Sequence, residues 1–369
     1  MVCIFRNGAS VTAKPFHGFR TAASYTCKHS SPILSIVPGA IPLPSILIKK
    51  IWVAVLVILY IPCMGQVTTD IAHDPDTACL PPDFFPDKPS KKRIALVAGA
   101  HAALWAGSYI ALNEAWYADY PKSSFHFFND NKEWNQVDKA GHVWTTYQVS
   151  RLSTALWRWS GCNRRTSTWL GGLSGIAYQS IIEIQDGFSS EWGFSWGDMA
   201  ANITGAALFV SQQLSWHEQR IVIKMSYWPY DYNTPDLLNR RNQLFGKSTA
   251  ERLLKDYNSQ TFWISANLQS LLRDSQLPSW LNIAAGYKSE GMFGGFENKW
   301  TDKEGNPFDR TDIPRVRRFF IAPDIDLTRI RTNSKWVRSL LSVLNTIKIP
   351  APALELNSRG KLRVHALFF

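Results

Sequence analysis

The sequence predicts a mainly α-helical fold, a four-helix bundle with a polar core followed by a smaller β-rich C-terminal region. Two observations lead to this prediction. Long apolar stretches between residues 94 and 216 carry small residues at four-residue steps, which is typical of closely packed helices. Beyond Arg220 apolar and polar residues alternate, which is the period of strands. With 369 residues, 45% of them hydrophobic, the chain can bury at least one sizeable core.

The N-terminal residues 1–48 show neither a helical nor a strand period, so we expect no packed structure there. No Met lies between Met1 and Met64. We therefore expect translation to start shortly before Lys49, which would leave residues 1–48 untranslated.

Residues 49–65 are predicted to be a secretory signal peptide. Two lysines precede an apolar run from Ile51 to Ile61, which is too short to span a bilayer comfortably, and small residues follow up to Gly65. An uncleaved membrane anchor is the alternative. Lipidation at Cys63 is not expected, because Tyr, Ile and Pro precede it instead of small residues.

The exported chain would begin with a linker at residues 66–92, which is rich in Asp and Pro. Export would leave Cys79 and Cys162 as the remaining cysteines. An oxidising compartment permits a disulfide between them, and the sequence leaves that pairing open. Neither belongs to a C-x-x-C pair, so a thiolate zinc site has no support.

Four helices are predicted within a domain at residues 93–218. They cover approximately Ile94–Trp116, Lys139–Trp159, Ser167–Gln185 and Gly197–Trp216. The first carries Gly99, Ala103, Gly107 and Ala111 as a small-residue stripe, and the last two carry Gly171, Gly175, Gly197, Ala201 and Gly205. Polar residues interrupt each helix, which leaves both a membrane-embedded and a periplasmic bundle open.

Three polar clusters interrupt these helices. They are Asp138-Lys139-x-Gly-His142, Glu183-x-x-Asp186-Gly187 and Ser195-Trp-Gly-Asp198-x-x-x-Asn202. Within each cluster the polar residues are three or four positions apart, so each pair shares one helix face. Burying so many ionisable groups costs free energy unless they pair or bind something. The sequence therefore predicts a functional site in the bundle core.

Three interpretations are consistent with these residues. His142 with Glu183 could hold a divalent metal ion, with Asp138 orienting the imidazole and Asp186 or Asp198 acting as base. Alternatively, the carboxylates form a hydrogen-bonded network that Lys139 neutralises and that fixes the helix register. Binding of a lipid head group is the third possibility, for which the binding candidates are Lys139, Ser195 and Asn202.

The segment Gly193-Phe-Ser195-Trp-Gly197 matches the Gly-x-Ser-x-Gly pattern of serine hydrolases. That motif requires a preceding buried strand, whereas residues 186–191 predict a turn between helices. We therefore interpret Ser195 as the N-cap of the last helix and Asp198 as its capping-box partner.

The C-terminal region at 219–369 predicts antiparallel strands and one amphipathic helix. Strand patterns lie at 221–227, Thr261–Leu268, Leu281–Tyr287, Arg318–Ile330 and Leu362–Phe369. The helix carries an apolar face with flanking basic residues, formed by Trp336, Val337, Leu340, Leu341, Leu344 and Ile347. This face either lies on an anionic membrane or covers the sheet.

The order of Asp138-Lys139 and His142, then Glu183, then Asp198 and Asn202 resembles the family of predicted periplasmic lipoproteins of unknown function typified by the YfiM protein. More remotely it resembles the VanZ-like envelope proteins. The resemblance covers roughly residues 90–215 and implies a helical core in the bacterial envelope. It implies no established reaction. The chain departs from the family in lacking a convincing lipobox and in its long C-terminal extension.

The sequence as a whole predicts an exported, membrane-associated envelope protein that binds a lipid or cell-wall head group in its polar core. A metal-assisted hydrolase of a phospholipid, lipid A or a related phosphoester is the alternative. The net charge of +11 and the abundant Trp and Phe favour an anionic membrane surface as partner. Nucleic acid is not expected, because no recognised nucleic-acid module occurs and the basic residues are scattered.

Overall fold

A computed structural model of the chain describes residues 85–86, 88–113, 121–272, 276–302 and 304–369. The predictions for residues 1–48, for the signal peptide at 49–65, for most of the linker and for Cys79 lie outside the described residues. Cys162 forms no disulfide with any described residue.

Four helices form the first half of the described chain, as predicted. They are α1 (Lys91–Leu112), α2 (Val137–Trp159), α3 (Arg164–Gly187) and α4 (Trp196–Ser215). Helices α2, α3 and α4 pack closely against one another, whereas α1 lies against α2 and α3 with few contacts. The bundle is therefore a three-helix core with a peripheral fourth helix.

Polar side chains fix where two of these helices begin. The Asn163 carboxamide oxygen accepts the amide of Thr166 at the start of α3, at 2.9 Å. The Ser195 hydroxyl accepts the amide of Asp198 at the start of α4, at 3.0 Å. Each N-cap satisfies a backbone donor that the helix itself leaves unpaired.

Small residues allow close approach in the core but not at α1. A Cβ atom on Gly171 would lie 1.9 Å from Thr154 Oγ1, and one on Gly205 would lie 2.3 Å from the carbonyl oxygen of Val143. In α1 a Cβ atom on Gly99 or Gly107 would meet nothing within 4 Å. The stripe predicted to seat another helix on α1 thus faces open space, and that prediction is wrong for the described structure.

Helix α1 differs from the other described helices in combining length with high hydropathy. Among the described residues it is the one helix long and apolar enough to cross a bilayer. It meets this criterion by length and composition, and only 11% of its apolar window is buried in the structure.

The second half of the described chain is built on an antiparallel sheet. Its strand order is β1-β2-β3-β6-β7-β8, with strands Ile221–Tyr227, Gln260–Asn267, Leu281–Glu290, Val316–Ile325, Ala351–Asn357 and Leu362–Phe368. Strands β4 (Lys299–Thr301) and β5 (Pro307–Asp309) form a separate hairpin. The β-rich region is therefore substantial, and the prediction of a mainly α protein with a smaller β part is correct only in outline.

Several elements of this region were not predicted from the sequence. They are strands β4, β5 and β7 and the helices α5 (Pro235–Phe245), α6 (Thr249–Lys255) and α7 (Leu268–Leu271). The strand predicted at 318–330 ends at Ile325 and is followed by a 3₁₀ turn at Leu327–Arg329. The predicted amphipathic helix is present as α8 (Lys335–Leu344).

The apolar face of α8 is exposed. Trp336, Val337, Leu340, Leu344 and Ile347 are each more than a third accessible. This face does not cover the sheet, which removes one of the two interpretations left open for it.

Helix α2 joins the bundle to the sheet. The ring of Trp144 packs on that of Phe262, with centroids 6.4 Å apart, and the Gln148 amide donates to the Ile223 carbonyl at 2.7 Å. The helix thereby covers the outer surface of the first strands. The sheet and the bundle share this boundary.

The sheet curls strongly. Strands β2 and β8 are four steps apart in the strand order, which would separate them by roughly 19 Å in a flat sheet. Yet the rings of Trp263 on β2 and Phe368 on β8 lie 6.0 Å apart. Beyond the two edge strands, the rings of Trp228 and Phe369 stack at 4.8 Å. The curl gives the sheet an enclosed inner face and an outer face.

The contrast between packed and open glycines yields a stability prediction. Gly205→Ala would force a Cβ atom onto the α2 backbone at Val143, so we expect the free energy of unfolding to fall by about 1–3 kcal/mol. Gly107→Ala has open space and a better helix former, so stability should stay level or rise by up to ~1 kcal/mol. Denaturant unfolding in detergent measures both, and equal stability of the two variants would contradict the packing described.

Candidate functional site: an acidic core around Lys139 and His142

The three predicted polar clusters converge in the bundle core. Helix α2 contributes Asp138, Lys139 and His142, α3 contributes Glu183 and Asp186, and α4 contributes Asp198 and Asn202. All are buried or nearly so. The helical spacing predicted from the sequence therefore brings these side chains to one place.

Lys139 lies at the centre of three carboxylates. Its Nζ is 2.6 Å from Asp130 Oδ2, 2.7 Å from Asp198 Oδ1 and 3.5 Å from Asp138 Oδ2. Burial lowers the pKa of Lys139, but the charges of the three aspartates outweigh it and the net pKa is raised. The ammonium group therefore stays charged. It pairs with carboxylates on the loop before α2, on α2 itself and on α4.

His142 is oriented by an amide on α4. Its Nδ1 lies 3.1 Å from Asn202 Oδ1, an oxygen that also accepts the Thr146 hydroxyl at 3.0 Å. In the tautomer with the proton on Nδ1, the ring donates to this oxygen and Nε2 presents its lone pair to the centre of the core. The Gln179 amide nitrogen, 3.2 Å from the same Nδ1, would donate to the other tautomer. Burial lowers the pKa of His142, although the Asp138 charge opposes this, which favours the neutral ring.

Three carboxylate oxygens surround Nε2 of His142. They belong to Asp198 at 3.6 Å, Glu183 at 3.7 Å and Asp138 at 3.9 Å. These separations are too long for hydrogen bonds. Atoms bound to one metal ion at about 2.0–2.2 Å lie roughly 3–4 Å from one another, which is the spacing seen here. Ligand atoms of Asp138, His142 and Asp198 all lie within 4.8 Å of one another.

The carboxylates differ in protonation. Burial raises the pKa of Asp198 to about 9, and the Asp138 charge adds to the effect. Burial also raises the pKa of Glu183 well above its usual range. For Asp130 burial is outweighed by hydrogen bonds and by the Lys139 charge, so its pKa is lowered. Without a further cation, the core thus holds protons on some of its acids.

Ser195 is the N-cap of α4. Its hydroxyl donates to Asp130 at 2.5 Å and accepts the Asp198 amide. A loop precedes it where the hydrolase motif needs a buried strand. The predicted capping box is half correct, because the Asp198 carboxylate points to Lys139 while the Ser195 amide lies 3.4 Å from Glu183 Oε2.

Sequence reasoning missed several contributors to this core. Asp130 and Glu133 come from the chain before α2, and Tyr257 comes from the C-terminal region and donates to Asp138 Oδ1 at 2.6 Å. Their local sequence carries no periodic signal. Gln179, whose Nε2 lies 3.2 Å from His142 Nδ1, is four residues before Glu183 on α3 and could have been found by that spacing.

The backbone entering α2 is strained. Trp134, Asn135 and Gln136 have φ values of 45°, 49° and 63°, in the left-handed region that non-glycine residues avoid. Contacts with the second half of the chain hold this turn. The Trp134 amide donates to the Gly295 carbonyl at 2.8 Å, and Arg317 donates to the Gln136 side chain at 2.7 Å. The turn sets where Asp138 enters the core.

A small cavity of about 40 Å³ opens within the core. Its polar lining residues are Asp130, Glu133, Asp138, His142, Asp186 and Asp198. A cavity needs roughly 10–15 Å³ of this volume for each water molecule, so the space suits an ion with one or two waters.

An exposed aromatic patch borders the core and consists of Phe125, Phe127, Phe188, Phe194 and Trp196. The ring of Phe127 stacks on Trp196 at 6.0 Å, and Phe194 meets Trp196 edge to face at 5.2 Å. Phe127 and Trp196 are each at least 60% exposed. Phe194 and Trp196 flank Ser195 directly, so the patch and the core share one segment of chain.

Residues 126–213 match the model of a protein family described as Predicted periplasmic lipoprotein (DUF2279). The matched segment contains every site residue predicted from the sequence. The resemblance to predicted periplasmic lipoproteins is therefore confirmed, and with it the predicted envelope location. The remote likeness to VanZ-like proteins stays a prediction. No curated protein and no solved structure matches the chain.

The position of Lys139 yields a second stability prediction. Lys139→Met would keep the apolar stem but leave three buried aspartates without the ammonium, so we expect a loss of about 3–5 kcal/mol in the free energy of unfolding. Lys132→Met, at an exposed position near the same helix, is the matched control and should change stability little. Denaturant unfolding at neutral pH measures both. If Lys139→Met is as stable as Lys132→Met, Lys139 is not the compensating charge.

Proposed function

We propose that this envelope protein binds one divalent metal ion in its acidic core, through His142, Asp138 and Asp198 with Glu183 as a further ligand. The observation that supports this most directly is the ring of three carboxylate oxygens at 3.6–3.9 Å from His142 Nε2. Imidazole and carboxylate together suit zinc, manganese or a similar ion.

An unsatisfied buried atom supports the same proposal. Glu183 is 1% exposed, and its Oε1 makes no hydrogen bond. Such an atom costs about 1–3 kcal/mol when nothing compensates it. Its nearest basic atom is His142 Nε2, at 3.7 Å. A cation between the two would satisfy both.

Hydrogen bonds that would hold the ligand side chains in place support the proposal as well. A His142 ring that donates from Nδ1 to Asn202 has Nε2 as its ligand atom. Tyr257 donates to Asp138 Oδ1, which fixes that carboxylate. These contacts would preorganise the ligands.

The geometry is less suited to a lipid or cell-wall head group held in the core itself. Buried carboxyl groups in the core outnumber the basic groups, which are those of Lys139 and His142. The carboxyl groups belong to Asp130, Glu133, Asp138, Glu183, Asp186 and Asp198. A phosphate would face this excess of acid, and the cavity holds little more than an ion with water.

A structural network without metal is the other interpretation, with Lys139 compensating the aspartates. Measuring the metal content of the protein distinguishes this structural network from a metal site. We expect near-stoichiometric metal in the purified exported protein by elemental mass spectrometry, and its loss in His142→Ala. His101→Ala is the matched control, because His101 lies on α1 and bonds to Val97 and Ser153 away from the core.

The outcomes are distinct. Metal retained in His101→Ala and lost in His142→Ala would support the site. Absence of metal from wild type, together with no rise in unfolding temperature on adding zinc or manganese, would leave only the structural network.

A second candidate function is metal-assisted hydrolysis of a phospholipid, lipid A or related phosphoester. The exposed aromatic patch favours it, because exposed aromatic rings favour the membrane interface where such substrates lie. In this case the metal would activate water, and Asp186 would act as base, because Asp198 is already a ligand. A lipid phosphoester screen tests it. Turnover that falls in Asp186→Asn while bound metal is retained would support hydrolysis, and no turnover by the metal-loaded wild type would reject it.

A further inference from the structure

The curled sheet encloses ion pairs beside apolar side chains, and it exposes apolar side chains on its outer face. The enclosed face holds Lys224 with Asp324 at 2.8 Å, both fully buried, and His365 with Glu355 at 2.7 Å. These pairs lie beside a buried cluster that includes Trp263 and Phe320. A sheet in water normally turns its polar side chains outward, so an exposed apolar face opposite buried ion pairs is unusual.

The outer face carries apolar side chains in register across five strands. Ile264, Ala285, Ile321, Leu354 and Val364 are successive cross-strand partners on β2, β3, β6, β7 and β8. Paired residues in antiparallel strands point to the same face. The four large side chains of this row are between 43% and 80% exposed.

A neighbouring row repeats the pattern. Phe319, Leu356 and Leu362 are successive partners on β6, β7 and β8, and each is about half exposed or more. The bundle and the turn before it cover this face near β1, where Ile223 clusters with Tyr147 and Phe209, Phe262 packs on Trp144, and Tyr287 donates to the Asn135 carbonyl. The two rows described above lie beyond these contacts and form an exposed apolar surface.

Charge decides between the possible occupants of this surface. From residue 327 to the C-terminus the sequence contains eight Lys or Arg and one acidic residue, Glu355, which is buried. Arg359, Lys361 and Arg363 are exposed at the β7–β8 turn, beside Leu362. A second copy using the same face would bring like charges together, whereas anionic lipid would attract them.

We propose that the outer face of β2, β3, β6, β7 and β8 lies against the acyl chains of an anionic bilayer, with the basic β7–β8 turn at the lipid head groups. An apolar exterior is the arrangement that lipid selects in membrane-embedded sheets. Helix α8, within the same basic segment, also exposes its apolar face. This inference does not depend on metal binding in the core.

Site-specific fluorescence tests the proposal. The full chain, with its five native cysteines replaced by Ser, receives Leu354→Cys or Val364→Cys and an environment-sensitive probe. Gln243→Cys, exposed on α5, is the matched control. The labelled proteins are reconstituted into vesicles of phosphatidylcholine and phosphatidylglycerol. Each is then quenched by aqueous iodide or by phosphatidylcholine that carries a nitroxide on its acyl chain.

We expect the probes at 354 and 364 to be quenched by the nitroxide lipid, to lose iodide quenching and to emit at shorter wavelength than the probe at 243. Circular dichroism of the three proteins checks that they fold alike. Iodide quenching at 354 and 364 equal to that at 243 would overturn the proposal. Shielding from both quenchers, with a cross-linked dimer, would also overturn it and would assign the face to a second copy.

Discussion

The buried contact of Lys139 with Asp130, Asp138 and Asp198 is the interaction on which the described structure depends most. Buried acids repel one another and lose hydration, and each effect costs free energy unless a cation lies among them. Lys139 supplies that cation from α2 and reaches acids on α2, on α4 and on the preceding loop. The ammonium group therefore adds a charged contact to the close packing of α2 against α4 at Gly205 and Asn202.

The same core ties the two halves of the chain together. Tyr257, from the region that follows β1, hydrogen-bonds to Asp138, and Arg317 on β6 holds the left-handed turn at Gln136. Strain in that turn is stable only because such contacts over-determine it. The C-terminal extension is thus part of the environment of the acidic core. Substitutions in the sheet that move Arg317 would therefore alter the turn that positions Asp138.

Both halves bury polar side chains while leaving large apolar side chains exposed. The buried positions of α3 are mainly small or polar, such as Ser167 and Gly171, while Trp169 and Leu173 on the same helix are exposed. The sheet likewise encloses Lys224 and Asp324 and exposes Ile321 and Val364. The bilayer contact proposed for the sheet would be consistent with both observations, since an apolar surround favours exposed apolar side chains and requires polar groups to pair inside. This agrees with the predicted envelope location.

The sequence by itself determined the features that follow from local periodicity. Helical spacing placed His142, Glu183 and Asp198 on inward faces, the Ser195 cap fixed the start of α4, and alternation located most strands. Only the tertiary structure decided the rest. Asp130 and Tyr257 reach the core from non-periodic segments, and α1 keeps its glycines unpacked. Which face of the sheet is enclosed depends on curl and on long-range pairing, because alternation defines two faces of a strand but not the side on which the polar one lies.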